Sequence, residues 1–127
     1  MDKKVLVVDD EINQLQLLNS FLSDEGYSVY TADSGKGALD TLKKESIFII
    51  YSDLQMPAMN GIELCKKIRE VNQLAWVCAI TGARSLFEIA ECREAGFDDY
   101  FLKPLDLALI LKNTQDAFLR LERWKGK

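Results

Sequence analysis

Histidine is absent from all 127 residues. That single omission removes Ser-His-Asp triads, Cys-His pairs and every His-ligated metal site. Cysteine is sparse: Cys65, Cys78 and Cys92 stand well apart and form no CxxC pair, so neither a zinc site nor a disulfide framework is expected. Reduced thiols in the core are the expected state. A surplus of positive charge is missing as well. Lys and Arg number 16 against 20 Asp and Glu, for a net charge of −4, whereas binding nucleic-acid phosphates needs a basic face. No apolar run approaches the ~20 residues of a membrane span. Met1-Asp2-Lys3-Lys4 and the short apolar run before Asp9 are too little for a signal peptide. The expectation is a cytoplasmic protein that meets neither membrane nor nucleic acid directly.

What is present is an alternation. Apolar runs at 5–8, 27–31, 47–51, 76–80 and 100–102 are separated by segments with helical spacing. Ile12, Leu15, Leu18 and Leu22 make one such stripe, Leu39 and Leu42 another, and Leu64 and Ile68 a third. The clearest is Leu107, Ile110, Leu111, Thr114, Phe118 and Leu121. Five strands alternating with five helices imply an α/β fold, a parallel sheet with helices on both faces. Gly26, Gly61 and Gly96 punctuate the connections.

In such sheets ligands bind beyond the carboxyl ends of the strands, so the residue closing each strand carries the chemistry. Strand one closes on Asp9-Asp10, strand three on Asp53, strand four on Thr81-Gly82 and strand five on Lys103-Pro104. Clustered carboxylates repel each other and call for a cation. Oxygen ligands favour Mg²⁺ or Mn²⁺ over zinc. Lys103 can hold an anion already on the metal, Thr81 can donate it a hydrogen bond, and Gly82 would let backbone come close. Together they suit a phosphoryl group set against a carboxylate nucleophile. Taken singly, each residue also has a structural reading: helix caps for Asp9 and Asp10, a turn for Asp53, a loop hydroxyl for Thr81 and a surface lysine for Lys103.

The segments "VLVVDDE", "SDLQMPAMNG", "ITGA" and "DDYFLKP" occur in this order. With them the chain resembles the receiver domains of two-component response regulators. The resemblance implies the flavodoxin-like receiver fold, strand order 2-1-3-4-5, with 1–127 as one domain and the fifth helix running to about residue 124. It also implies that Asp53 is the phosphoacceptor, served by a sensor histidine kinase or a phosphotransfer protein. Asp10, Asp53 and the backbone carbonyl of Gln55 would hold Mg²⁺, with Asp9 reaching it through water. Lys103 would contact the phosphoryl group, and the Lys103-Pro104 bond would be cis. Thr81 and Tyr100 would act as the switch. Downstream proteins, an output domain or a second copy would dock on helix four, strand five and helix five, with Leu86, Phe87 and Ile89 as candidate contacts. Gln55 and Ala83 would flank the line of hydrolytic attack, and the absence of a polar group on Ala83 favours a slow self-dephosphorylation. Phe97 and Leu105 depart from residues common in the family, Ala and Phe respectively, but neither removes a chemical group.

Other functions fit less well. A Mg²⁺-dependent aspartyl phosphohydrolase usually carries a DxD motif after strand one and a cap, and both are missing. An FMN binder needs a phosphate-cradling loop after strand one. A pseudo-receiver acting by protein contact alone usually lacks an acidic residue or the lysine, and here all are present.

Overall fold

In the computed structural model of the chain, which describes residues 3–82 and 86–125, strands and helices alternate. The elements are β1 (Lys4–Val8), α1 (Ile12–Asp24), β2 (Ser28–Ala32), α2 (Gly35–Lys44), β3 (Ile49–Asp53), α3 (Gly61–Val71), β4 (Trp76–Thr81), α4 (Leu86–Ala95), β5 (Asp99–Leu102) and α5 (Leu107–Lys125). All strand pairs are parallel, in the order β2-β1-β3-β4-β5. The fold class and strand order are those expected from the sequence.

Parallel neighbours require crossovers, and the crossover helices cover both faces of the sheet. Alternate strand residues therefore feed two separate cores. Leu6, Val8, Ile50, Val77 and Ala79 pack with residues of α2, α3 and α4, while Val5, Val7, Ile49, Tyr51, Cys78 and Ile80 pack with α1 and α5. Burial on both faces is why β1, β3 and β4 read as unbroken apolar runs rather than as an alternation.

Boundaries differ modestly from expectation. β3 begins at Ile49 rather than at Ile47, which is buried in the preceding connection, and β2 begins at Ser28 rather than Tyr27. Gly61 opens α3 instead of preceding it. Ile12 breaks from its stripe: Leu15, Leu18 and Leu22 are buried, but Ile12 is 67% exposed. It is the first residue of α1 and stands at the rim, where β1 has already ended. Asn60 and Glu63 form a reciprocal capping box at the start of α3. Gly26 and Gly96, at φ 96° and 104°, close α1 and α4 in the left-handed region.

The basic end of α5 rests on aromatic rings. Arg120 stacks over Trp76 and Lys125 over Phe48, each 4.6 Å from the ring centroid, tying the helix end to the amino-terminal edge of the sheet. All three cysteines are free and buried, and burial pushes Cys65 and Cys92 up to about 11, which leaves them poor nucleophiles.

A polar chain, fully buried at Tyr51 and Thr114, locks α5 onto the sheet. Trp76 Nε1 donates to Asn113 Oδ1 (3.3 Å), Asn113 Nδ2 donates to the Tyr51 hydroxyl (2.8 Å), and that hydroxyl lies 2.6 Å from Thr114 Oγ1. Thr114 in turn donates to the carbonyl of Ile110 at 2.8 Å. Tyr51→Phe removes two of these bonds, the one accepted from the Asn113 amide and the one to Thr114 Oγ1, while Thr114 keeps the Ile110 carbonyl and Asn113 keeps Trp76 and a 3.3 Å contact with Cys78 Sγ. We expect a loss of about 1–3 kcal/mol, read as a lower urea midpoint with an unchanged m-value.

Candidate functional site at the carboxyl end of the sheet

Strand order and register assemble the site. β1 and β3 are neighbours with Val8 opposite Ser52. The following residues, Asp9 and Asp53, therefore face each other across one inter-strand spacing of about 5 Å. In β5, Leu102 pairs with Thr81 of β4, which leaves Lys103 as the first residue beyond the strand. Asp9, Asp53 and Lys103 share the alternation parity of Val7, Tyr51 and Phe101, residues of the α1 and α5 side. The two-residue period of three strands thus turns two carboxylates and an ammonium to one side of the rim. Lys103 reaches across the end of β4 to place Nζ 3.6 Å from Asp9 Oδ2 and 3.6 Å from Asp53 Oδ1.

Asp10 adds a third, exposed carboxylate. One oxygen from each of Asp9, Asp10 and Asp53 lies within 4.8 Å of the others. This all-oxygen set suits a hard divalent cation. Asp9 and Asp53 are only 2% and 6% exposed. Burial pushes the Asp53 carboxyl up to about 6, and repulsion from Asp9 adds to it. The Lys103 ammonium and a hydrogen bond from the Gln55 backbone pull the other way, and Asp10 contributes a smaller upward push. Asp9 divides its two oxygens between the start of α1 and Lys103. Oδ1 accepts from the backbone N–H of Glu11 at 2.9 Å, at the start of α1, while Oδ2 faces Lys103. Glu11, the residue at the N-cap, makes no side-chain cap of its own.

The loop after β3 folds back on the strand end. A Cβ at Gly61 would collide with the Asp53 carbonyl and lie 2.8 Å from the Leu54 Cα, so only glycine fits there. In the same loop Ala58 takes the left-handed region at φ 66°, unusual for a residue with a Cβ. Gln55 is exposed in this loop. The Lys103–Pro104 peptide is cis, as the resemblance implies. Gly82 does not fit the expectation of close backbone approach, because a Cβ there would meet nothing within 4 Å.

Thr81 and Tyr100 are brought together, but on the other side of the sheet. Tyr100 is half-buried against the core under α4 and pairs with Ala79. Thr81, two residues on from Ala79, has the same parity and is 1% exposed. Its hydroxyl donates to Glu88 Oε1 of α4 at 2.9 Å. Glu88 was not among the residues singled out from the sequence. It lies seven positions after Thr81, and no local pattern marks it, because the contact depends on where α4 docks. Phe97 is buried in the core shared with α3 and α4, and Leu105 packs at the edge of the other core. Ile89 is half-buried; Ala83 and the side chains of Leu86 and Phe87 lie outside the described residues. Among the described residues, no helix is long and apolar enough to cross a membrane.

Comparison with known proteins agrees with the fold. A family model described as the response regulator receiver domain matches residues 5–115. Sporulation initiation phosphotransferase F of Bacillus subtilis (strain 168) is 35% identical over 107 residues, covering 84% of this chain and 86% of the relative. Alkaline phosphatase synthesis transcriptional regulatory protein PhoP of the same organism is 38% identical over 104 residues, 82% of this chain but 43% of that longer protein. Among solved structures, chemotaxis protein CheY4 of Vibrio cholerae aligns with a TM-score of 0.88 at 32% identity, covering 92% of this chain and 99% of that one.

The raised Asp53 value has a consequence for the metal-free fold. Between about pH 4, where an unfolded aspartate titrates, and about 6, the folded chain holds a proton that the unfolded chain has released. Stability in the presence of a chelator therefore rises as pH falls through that window and declines as pH rises through it. Urea midpoints across the window should show this slope in the native sequence and a flatter one in Asp53→Asn. An equal slope in both would assign it to another group.

Proposed function

The chain belongs to the response regulator receiver domain family, and on that premise we propose that it is a phosphorylation-gated switch whose phosphoacceptor is Asp53. Receiver domains of two-component response regulators are signalling domains and not classical enzymes. The observation that carries the reading is the placement of Lys103 Nζ, 3.6 Å from both Asp9 and Asp53 and beside a carboxylate cluster that fits a divalent cation. In this reading residues 1–127 form one receiver unit.

Asp10, Asp53 and the Gln55 backbone carbonyl would hold Mg²⁺ or Mn²⁺, with Asp9 engaged through water. A cation there supplies charge neutralisation for phosphoryl oxygens during transfer. The Asp53 carboxylate attacks phosphorus at a phosphohistidine of the sensor kinase or of a phosphotransfer protein. The P–N bond breaks and its electron pair stays with the histidine nitrogen. Lys103, a mobile point charge on a long stem, shifts from the carboxylates to a phosphoryl oxygen. The group adds a charge of about −1.5 to −2 and acceptor oxygens that Thr81 can satisfy only by moving toward them. Tyr100 follows into the space behind Thr81. The equilibrium between two pre-existing arrangements of the α4-β5-α5 face is biased, and a downstream protein, an output domain or a second copy reads the change.

Incubation with acetyl phosphate and Mg²⁺ should add a single phosphoryl group by intact-protein mass. The adduct should vanish in Asp53→Asn and with chelator present. An adduct that persists in Asp53→Asn would overturn the assignment. Lys103→Met should slow adduct formation about a hundredfold to a thousandfold, the scale of losing one charge-stabilising group.

A further inference from the structure

The hydroxyl that the switch requires is already engaged. Thr81 Oγ1 donates to Glu88 Oε1 at 2.9 Å, and a hydroxyl has one hydrogen to give. A phosphoryl oxygen and the Glu88 carboxylate are both acceptors, so they compete for it. We propose that Glu88 is a positioning residue, a latch that holds Thr81 toward α4 until a phosphoryl group on Asp53 takes its hydrogen bond. The proposal rests on Asp53 being the phosphoacceptor.

The position of Glu88 gives the latch its reach. It lies in the first turn of α4, on the same face of the sheet as the Tyr100 side chain. Releasing Thr81 therefore also removes a tie to the beginning of that helix, and this bond links the rim to the α4 surface. By linkage the coupling runs both ways. A partner that holds α4 with Glu88 turned away from Thr81 strengthens phosphoryl binding by the factor by which phosphorylation strengthens that partner's binding.

Binding of beryllofluoride with Mg²⁺, titrated by ¹⁹F NMR, tests the latch without a kinase. Glu88→Ala removes the competing acceptor and suits a helix, so it should bind beryllofluoride about three- to tenfold more tightly, the scale of one hydrogen bond of about 1 kcal/mol. Glu88→Gln loses the charge but keeps an acceptor oxygen. It should stay within about twofold of the native protein, since a neutral acceptor retains much of the bond. In a Thr81→Val background Glu88→Ala should change nothing, because the hydroxyl is gone. Equal tightening in Glu88→Ala and Glu88→Gln would mean that simple charge repulsion is at work and would overturn the latch. So would unchanged affinity in Glu88→Ala, or tightening that survives Thr81→Val. Failure of the native protein to bind beryllofluoride at all would instead bring down the phosphoacceptor reading, and the latch with it.

Discussion

The Lys103 ammonium between two nearly buried carboxylates is the interaction on which this rim depends. Asp9 and Asp53 face each other across a single strand spacing, where like charges repel and water is largely excluded. Burial and repulsion from Asp9 both press the Asp53 carboxyl toward its protonated form, and Lys103 is the largest opposing influence. The ammonium thus favours the charged carboxylate at a place where burial disfavours it. Each participant enters from a different strand end, so β1, β3, β4 and β5 must be paired before the cluster exists.

The sheet also separates two groups of side chains. Asp9, Asp53 and Lys103 have the parity of the α1 and α5 side, whereas Thr81 and Tyr100 have that of the α4 side. The charged groups lie on one side of the rim and the Thr81 hydroxyl and Tyr100 ring on the other, with the end of β4 between them. The backbone bond from Lys103 N–H to the Thr81 carbonyl, 2.9 Å, joins the two halves. Around them the scaffold is tightly held. The relay from Trp76 to the Ile110 carbonyl fixes α5 against β3 and β4, and the cation–π contacts of Arg120 and Lys125 hold its far end. With the α5 side held in this way, the Thr81–Glu88 bond is a local link between the rim and α4.

Glycine and charge at the β3–α3 loop show how closely local chemistry follows the site. Gly61 is required because the loop returns over the Asp53 carbonyl, and the capping box of Asn60 and Glu63 then starts α3 immediately. At Gly82 the same residue type has open space around it. The identity of a residue does not by itself reveal the reason for its presence.

Much was legible before any coordinates. Apolar runs alternating with helical stripes are local patterns, and they dictated a parallel α/β sheet because strands covered on both faces have few other ways to bury themselves. Reading the closing residue of each strand then named Asp9, Asp10, Asp53, Thr81 and Lys103, since crossovers bring the carboxyl ends together on one rim. Those conclusions needed only short-range periodicity and topology. The 3.6 Å approach of Lys103 to both carboxylates, the exposure of Ile12, the open space at Gly82 and the bond between Thr81 and Glu88 were decided by the tertiary structure. Each depends on how far a helix or loop sits from a strand end, a distance set by the packing of residues remote in sequence, which no local pattern encodes.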